Sequence, residues 1–96
     1  MKKPEDCQSI QEIREAIDSI DSQIIDKFGE RLAYVQAAAK FKKSTEDVKA
    51  KARFDSMLQT RRIWAKNNNL NPDIIEQLYR DLVTYFIKEE LQNWQK

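Results

Sequence analysis

Apolar residues recur at helical spacing along the first part of the chain: Ile10, Ile13, Ile17, Ile20, Ile24, Phe28, Leu32, Val35, Ala38 and Phe41. Steps of three and four place them on one face of an α-helix. Ser9 followed by Glu12 is a capping box, so the helix is predicted to begin there. Only Gly29 interrupts it, at roughly 1 kcal/mol against Ala. About nine turns at 1.5 Å per residue give ~50 Å, whereas a compact domain of this size has a radius of gyration near ~13 Å. The helix must therefore project beyond its own chain's core. A second copy is the simplest cover for the stripe it exposes.

The pattern then breaks. Lys42 to Lys51 (KKSTEDVKAK) is polar and charged, and it predicts a mobile loop with room for one helical turn. A second helix is expected from about Arg53 to Lys66, with Phe54, Met57, Leu58, Ile63, Trp64 and Ala65 as its apolar content. Asn67, Asn68 and Asn69 stop it, because Asn tolerates the left-handed conformation at a helix end. Asn71 caps a third helix with Pro72 at its first position. That helix carries Ile74, Leu78, Leu82, Tyr85 and Phe86, flanked by Val83, Ile87, Glu90 and Trp94, and runs almost to the last residue. Trp64 and Trp94 read as packing residues. The expected fold is all-α, a three-helix chain with a long first helix, forming one domain over residues 1–96 and an intertwined homodimer.

Composition narrows the function. One Gly and two Pro in 96 residues leave few helix breakers, and no strand-like alternation or repeat is present. Seventeen basic against sixteen acidic residues give a net charge of +1, so no overall field calls for nucleic acid or an anionic membrane. Cys7 is the single cysteine and His is absent, which excludes an internal disulfide and disfavours a zinc site. No apolar leader segment follows Lys2 and Lys3, and no apolar run is long enough for a membrane span. The expectation is a soluble cytoplasmic protein.

The informative residues are charges on the apolar stripe. Stepping along the first helix gives Ile10, Arg14, Ile17, Asp21, Ile24, Phe28, Arg31, Val35, Ala38 and Lys42. Buried unpaired charges cost several kcal/mol, so each needs a partner or a ligand. Each residue alone has a plain reading. Arg31 can be an ion pair or a snorkelling surface residue, Lys42 a solvated helix-end lysine, and Arg14 a partner of Asp18 one turn on. Glu90, on the apolar stripe of the last helix, can pair with a lysine. Together they point to an anionic ligand. Arg31 and Lys42, eleven residues apart, fall within about 20° of one helix face. Arg14 lies roughly 25 Å from Arg31 along the same helix, so it can join that site only from a second chain.

These residues belong to stretches that resemble the bacterial isochorismate pyruvate lyases, which share the all-helical chorismate mutase fold. The likeness runs through Lys2, Pro4-Glu5-Asp6-Cys7, Ile13 to Asp18, Ile20 to Ile24, Gly29 to Arg31, Tyr34 to Ala38 and Lys40 to Lys42. It continues at Arg53, Met57-Leu58, Arg61, Trp64-Ala65, Asn68, Leu70 and Tyr85 to Trp94, so it covers essentially the whole chain. It implies a dimer interlocked along the first helix. Arg14, from the partner chain, and Arg31 would hold the carboxylates of a small dianion. Lys42 would reach the ether oxygen and a carboxylate, and Glu90 would face the same ether oxygen. Val35, Arg53, Met57 and Ile87 match positions lining the pocket. The implied chemistry is pericyclic, loss of pyruvate from isochorismate to give salicylate, and it calls for no metal, nucleophile or cofactor. Salicylate for a siderophore is the expected destination.

Two positions depart from the pattern. Mutases of this fold usually place Glu after the loop arginine to bind the ring hydroxyl, and here Phe54 follows Arg53, which favours the lyase. The lyases usually have Gln where this chain has Glu90, and a carboxyl facing an ether oxygen is useful only when protonated. Lys43, Lys49 and Lys51 also set the loop apart. Beside the lyase stand two rivals: a chorismate mutase of aromatic amino-acid synthesis, and a silent helical dimer serving as an interaction module.

Overall fold

A computed structural model of the chain describes residues 2–94, the side chains of Val48, Asn93 and Trp94 excepted. Its regular elements are all helical. They are α1 (Ile10–Ala38), α2 (Thr45–Lys49), α3 (Lys51–Asn67) and α4 (Pro72–Trp94), with 3₁₀ turns at Pro4–Asp6 and Ala39–Phe41. None of the described helices is long and apolar enough to cross a membrane. The chain divides into two compact units, the first ending at Tyr34 and the second starting at Val35.

The first unit is the leading 3₁₀ turn and most of α1. Ser9 caps the helix, its Oγ accepting the Glu12 N–H at 3.2 Å. The reciprocal half of the box shifts by one residue: the Glu12 carboxylate accepts the Gln8 N–H at 2.7 Å and pairs with Lys2 at 2.9 Å. The Gln8 bond, then Lys2, hold the Glu12 carboxyl below the usual range. No residue of α1 is buried. Ile10, Ile17, Ile20 and Ile24 are each between 44% and 60% exposed. The stripe expected to be the driest part of the chain is open within this unit.

The second unit holds the core. The short link at 68–71 turns the chain back so that α4 packs along α3, and α2 and the second 3₁₀ turn also pack on α4. Met57, Leu58 and Ala65 on α3, Phe86 on α4 and Ala39 are buried. The link is closed by hydrogen bonds. Asn69 adopts the left-handed conformation (φ 61°), and the N–H groups of Asn69 and Leu70 reach the Lys66 and Ala65 carbonyls. This is a Schellman motif with Asn in the place Gly usually takes. Asn71 Oδ1 then accepts the Asp73 N–H at 2.9 Å, capping α4 as the sequence predicts. Arg62 bridges the two helices, 2.8 Å from Asp73 and 3.0 Å from Glu76.

Several expectations need correction. The first helix ends at Ala38, three residues short of Phe41, and its last turn tightens to 3₁₀. The helical turn for which the segment from Lys42 left room is present as a five-residue helix, α2, capped by Ser44, whose Oγ accepts the Asp47 N–H at 3.1 Å. The next helix starts at Lys51, ahead of Arg53, since Ala50 in the left-handed region (φ 42°) closes α2 and opens α3. Trp64 is 52% exposed, with the Arg61 guanidinium 4.5 Å from its ring centre, so it shelters a cation more than it fills the core. The packing reading of Trp94 lies outside the described side chains.

Among the described residues Leu58 is the best-enclosed large side chain, 1% exposed. Leu58→Ala is expected to destabilise the chain by about 2–5 kcal/mol through lost burial and the cavity left behind. Urea unfolding checks this: the midpoint should fall at constant slope, and an unchanged midpoint would mean the site is not close-packed.

Candidate functional site

The candidate site is built on the face of α4 that carries Phe86 and Glu90, one turn apart and both buried. Lys42 follows the 3₁₀ turn in extended backbone (φ −87°, ψ 140°), its N–H bonded to the Ala39 carbonyl at 3.1 Å. The turn ends the helix early, so Lys42 leaves the stripe on which the sequence places it. Its Nζ donates to the Asp47 carbonyl at 3.0 Å and lies 4.0 Å from Glu90 Oε2. The two side chains are 24% and 6% exposed.

Glu90 Oε2 is buried and has no hydrogen-bond partner among the described residues. The 4.0 Å approach of Lys42 is an ion pair too long for a hydrogen bond. Loss of water pushes the Glu90 carboxyl above its ordinary pKa, and the Lys42 charge offsets only part of that rise. A raised carboxyl keeps its proton to higher pH, and in that state it offers an O–H donor. An ammonium and a carboxylic acid then stand within a few ångströms of each other. Two donors converging on one place suit an oxygen that gathers negative charge as its bond breaks.

The other expected residues are distributed more widely. Met57 is buried on α3, Val35 and Ile87 are half-buried, and Arg53 is exposed. Arg31 is half-buried and Arg14 exposed, both on α1. Seventeen residues of helix separate them by roughly 25 Å, so one chain's α1 does not bring the two arginines together. Arg14 forms no ion pair with another described residue, Asp18 included. Of the expected residues, then, the structure joins Lys42 and Glu90 directly. Asp47 went unnoticed in the sequence, yet it touches Lys42 through its carbonyl and the Lys43 N–H through its carboxylate, at 3.0 Å each. The Ser44-x-x-Asp47 spacing is a capping signal that could have revealed it. Among the described residues, no three acidic, Cys or His side chains are grouped so as to hold a metal ion.

Comparison with known proteins adds two findings. Residues 13–91 match the family described as chorismate mutase type II. Over 96 residues the chain is 40% identical to a Pseudomonas aeruginosa protein named isochorismate pyruvate lyase, covering 100% of this chain and 95% of that one.

The burial of Glu90 has a consequence for stability. Above the ordinary carboxylate range the unfolded chain has lost this proton while the folded chain still holds it, so stability falls as pH rises through that window. Glu90→Gln removes the titration. The variant should match the parent near about pH 4 and exceed it at neutral pH in urea midpoint. Parallel pH dependences for the two proteins would mean that Glu90 titrates as an ordinary carboxyl.

Proposed function

The chain belongs to the chorismate mutase type II family, and from that premise we propose that it is an isochorismate pyruvate lyase that releases pyruvate from isochorismate and leaves salicylate. The observation that carries this reading is the buried Glu90 carboxyl, whose Oε2 has no hydrogen-bond partner among the described residues, beside the Lys42 ammonium. Full-length similarity to a protein named for this reaction supports it.

The reaction is a concerted elimination. A ring hydrogen passes to the enolpyruvyl methylene while the bond between the ring and the ether oxygen breaks. The ring becomes aromatic, and the ether oxygen becomes the keto oxygen of pyruvate. No nucleophile or added proton is needed, so the protein's task is to hold a flexible dianion in its reactive conformer and stabilise charge at the departing oxygen. Lys42 and protonated Glu90 act there. Arg31, and Arg14 of a second copy of the chain, grip the carboxylates, where a planar guanidinium makes paired hydrogen bonds. Val35, Arg53, Met57 and Ile87 line the pocket.

The second copy follows from α1. Its open isoleucine stripe favours a homodimer, and the ~25 Å between Arg14 and Arg31 favours a site shared across it. Phe54, half-buried behind Arg53, offers no carboxylate to a ring hydroxyl, so rearrangement of chorismate to prephenate is a weak second activity of the same pocket. We assign the protein to the cytoplasm, as a source of salicylate for a siderophore.

Supplying isochorismate and chorismate separately should give fast salicylate fluorescence from the first and slow absorbance loss from the second. Fast chorismate loss without salicylate would make it a mutase, and inertness toward both an interaction module. Lyase turnover should fall as pH rises through the Glu90 titration, and Glu90→Gln should flatten that fall. A shared site has its own test. Arg14→Ala and Lys42→Ala should each be inactive alone. Mixed under exchange, they should regain about a quarter of parent activity, since half the dimers are mixed and each carries one intact site of two. No recovery, with exchange confirmed, would place Arg14 outside the partner's site.

A further inference from the structure

Lys42 sits between two short elements, just past the Ala39–Phe41 turn and before α2, and its backbone alone does little to place its ammonium. A lysine side chain has four rotatable bonds and loses about 1.5–2 kcal/mol of conformational freedom when fixed. Something must hold Nζ beside Glu90. The acceptor at hand is the Asp47 carbonyl, 3.0 Å away. That carbonyl is itself held by a closed set of local bonds. The Asp47 N–H donates to Ser44 Oγ at 3.1 Å, and Asp47 Oδ2 accepts the Lys43 N–H at 3.0 Å. At the other end of α2 the Ala50 N–H reaches the Glu46 carbonyl at 2.8 Å.

We propose that Asp47 is a positioning residue: its side chain locks α2 to the backbone beside Lys42, and its carbonyl presents the Lys42 ammonium to the site at Glu90. Asp47 touches no substrate. It acts through Lys42, so the inference rests on Lys42 being the catalytic lysine of the lyase reading. The physical case is one of register. Residues 43 and 47 are joined through the carboxylate, residues 42 and 47 through the carbonyl, and α2 packs on α4, which carries Glu90. With the carboxylate removed, the Ser44 bond still starts α2, but the tie to Lys43 is gone and the carbonyl can drift. A displacement of about 1 Å at a catalytic group can cost on the order of a hundredfold in rate.

Asp47→Ala in the full chain should lower kcat for isochorismate by about tenfold to a hundredfold with little change in KM. Its urea midpoint should stay close to that of the parent. Asp47→Asn keeps an oxygen acceptor for the Lys43 N–H without the charge, and should restore kcat to within about threefold of the parent. Full kcat in Asp47→Ala would overturn the proposal. So would an equal loss in Asp47→Asn, which would make charge the cause, or a loss of kcat that merely follows loss of folding. Lys42→Ala separates the two levels. If it retains turnover, the catalytic reading of Lys42 fails. If it is inactive while Asp47→Ala is fully active, only the positioning role fails.

Discussion

A carboxyl taken out of water, with no donor to one of its oxygens among the described residues, is the constraint around which the second unit is arranged. Glu90 shares its face of α4 with Phe86, and that face receives the 3₁₀ turn and α2. Nothing in a core of this size gains stability from an acid in such a place, since an apolar side chain of similar volume would pack there at no electrostatic cost. The chain keeps the acid and sets a lysine 4.0 Å away, close enough to attract and too far to neutralise by hydrogen bonding. The result is a buried carboxyl beside a half-buried ammonium, which is poor for stability and is the pair on which the proposed lyase chemistry rests.

The elements around that pair follow from keeping the lysine in place. The early end of α1, the tightened turn at Ala39–Phe41 and the five residues of α2 redirect Lys42 from a helix face to a position beside α4. Ala50 pays for this in backbone strain, occupying a left-handed conformation that L-residues other than Gly and Asn seldom adopt. The hairpin of α3 and α4 is secured elsewhere, by the Asn69 and Asn71 caps and by Arg62, so the link between them needs no help from the site.

The first unit poses a different physical problem. A helix of 29 residues with an open isoleucine stripe and no buried residue gains little from burial of its apolar face. Its charges at Arg14 and Arg31 stand too far apart along the axis to serve one small molecule from one copy. The homodimer proposed above would address both, by covering the stripe and bringing the Arg14 of one copy to the Arg31 of the other.

Local chemistry was readable directly from the sequence. The caps at Ser9 and Asn71, the Asn stop after α3, the helical period and the family likeness all depend on residues a few positions apart, and these were legible without coordinates. Lys42 and Glu90 stood out in the sequence as charges at apolar spacing, but that they lie 4.0 Å apart came only from the structure, which takes Lys42 off the helix face that singled it out. The burial of Glu90 Oε2 without a donor among the described residues, the hydrogen bond of Lys42 to the Asp47 carbonyl and the exposure of Trp64 were not legible, because each depends on which segments pack together. Spacing along a chain reports which face a residue occupies; only the packing of α2 and the 3₁₀ turn onto α4 decides what that face meets, and so whether a carboxyl there keeps its proton.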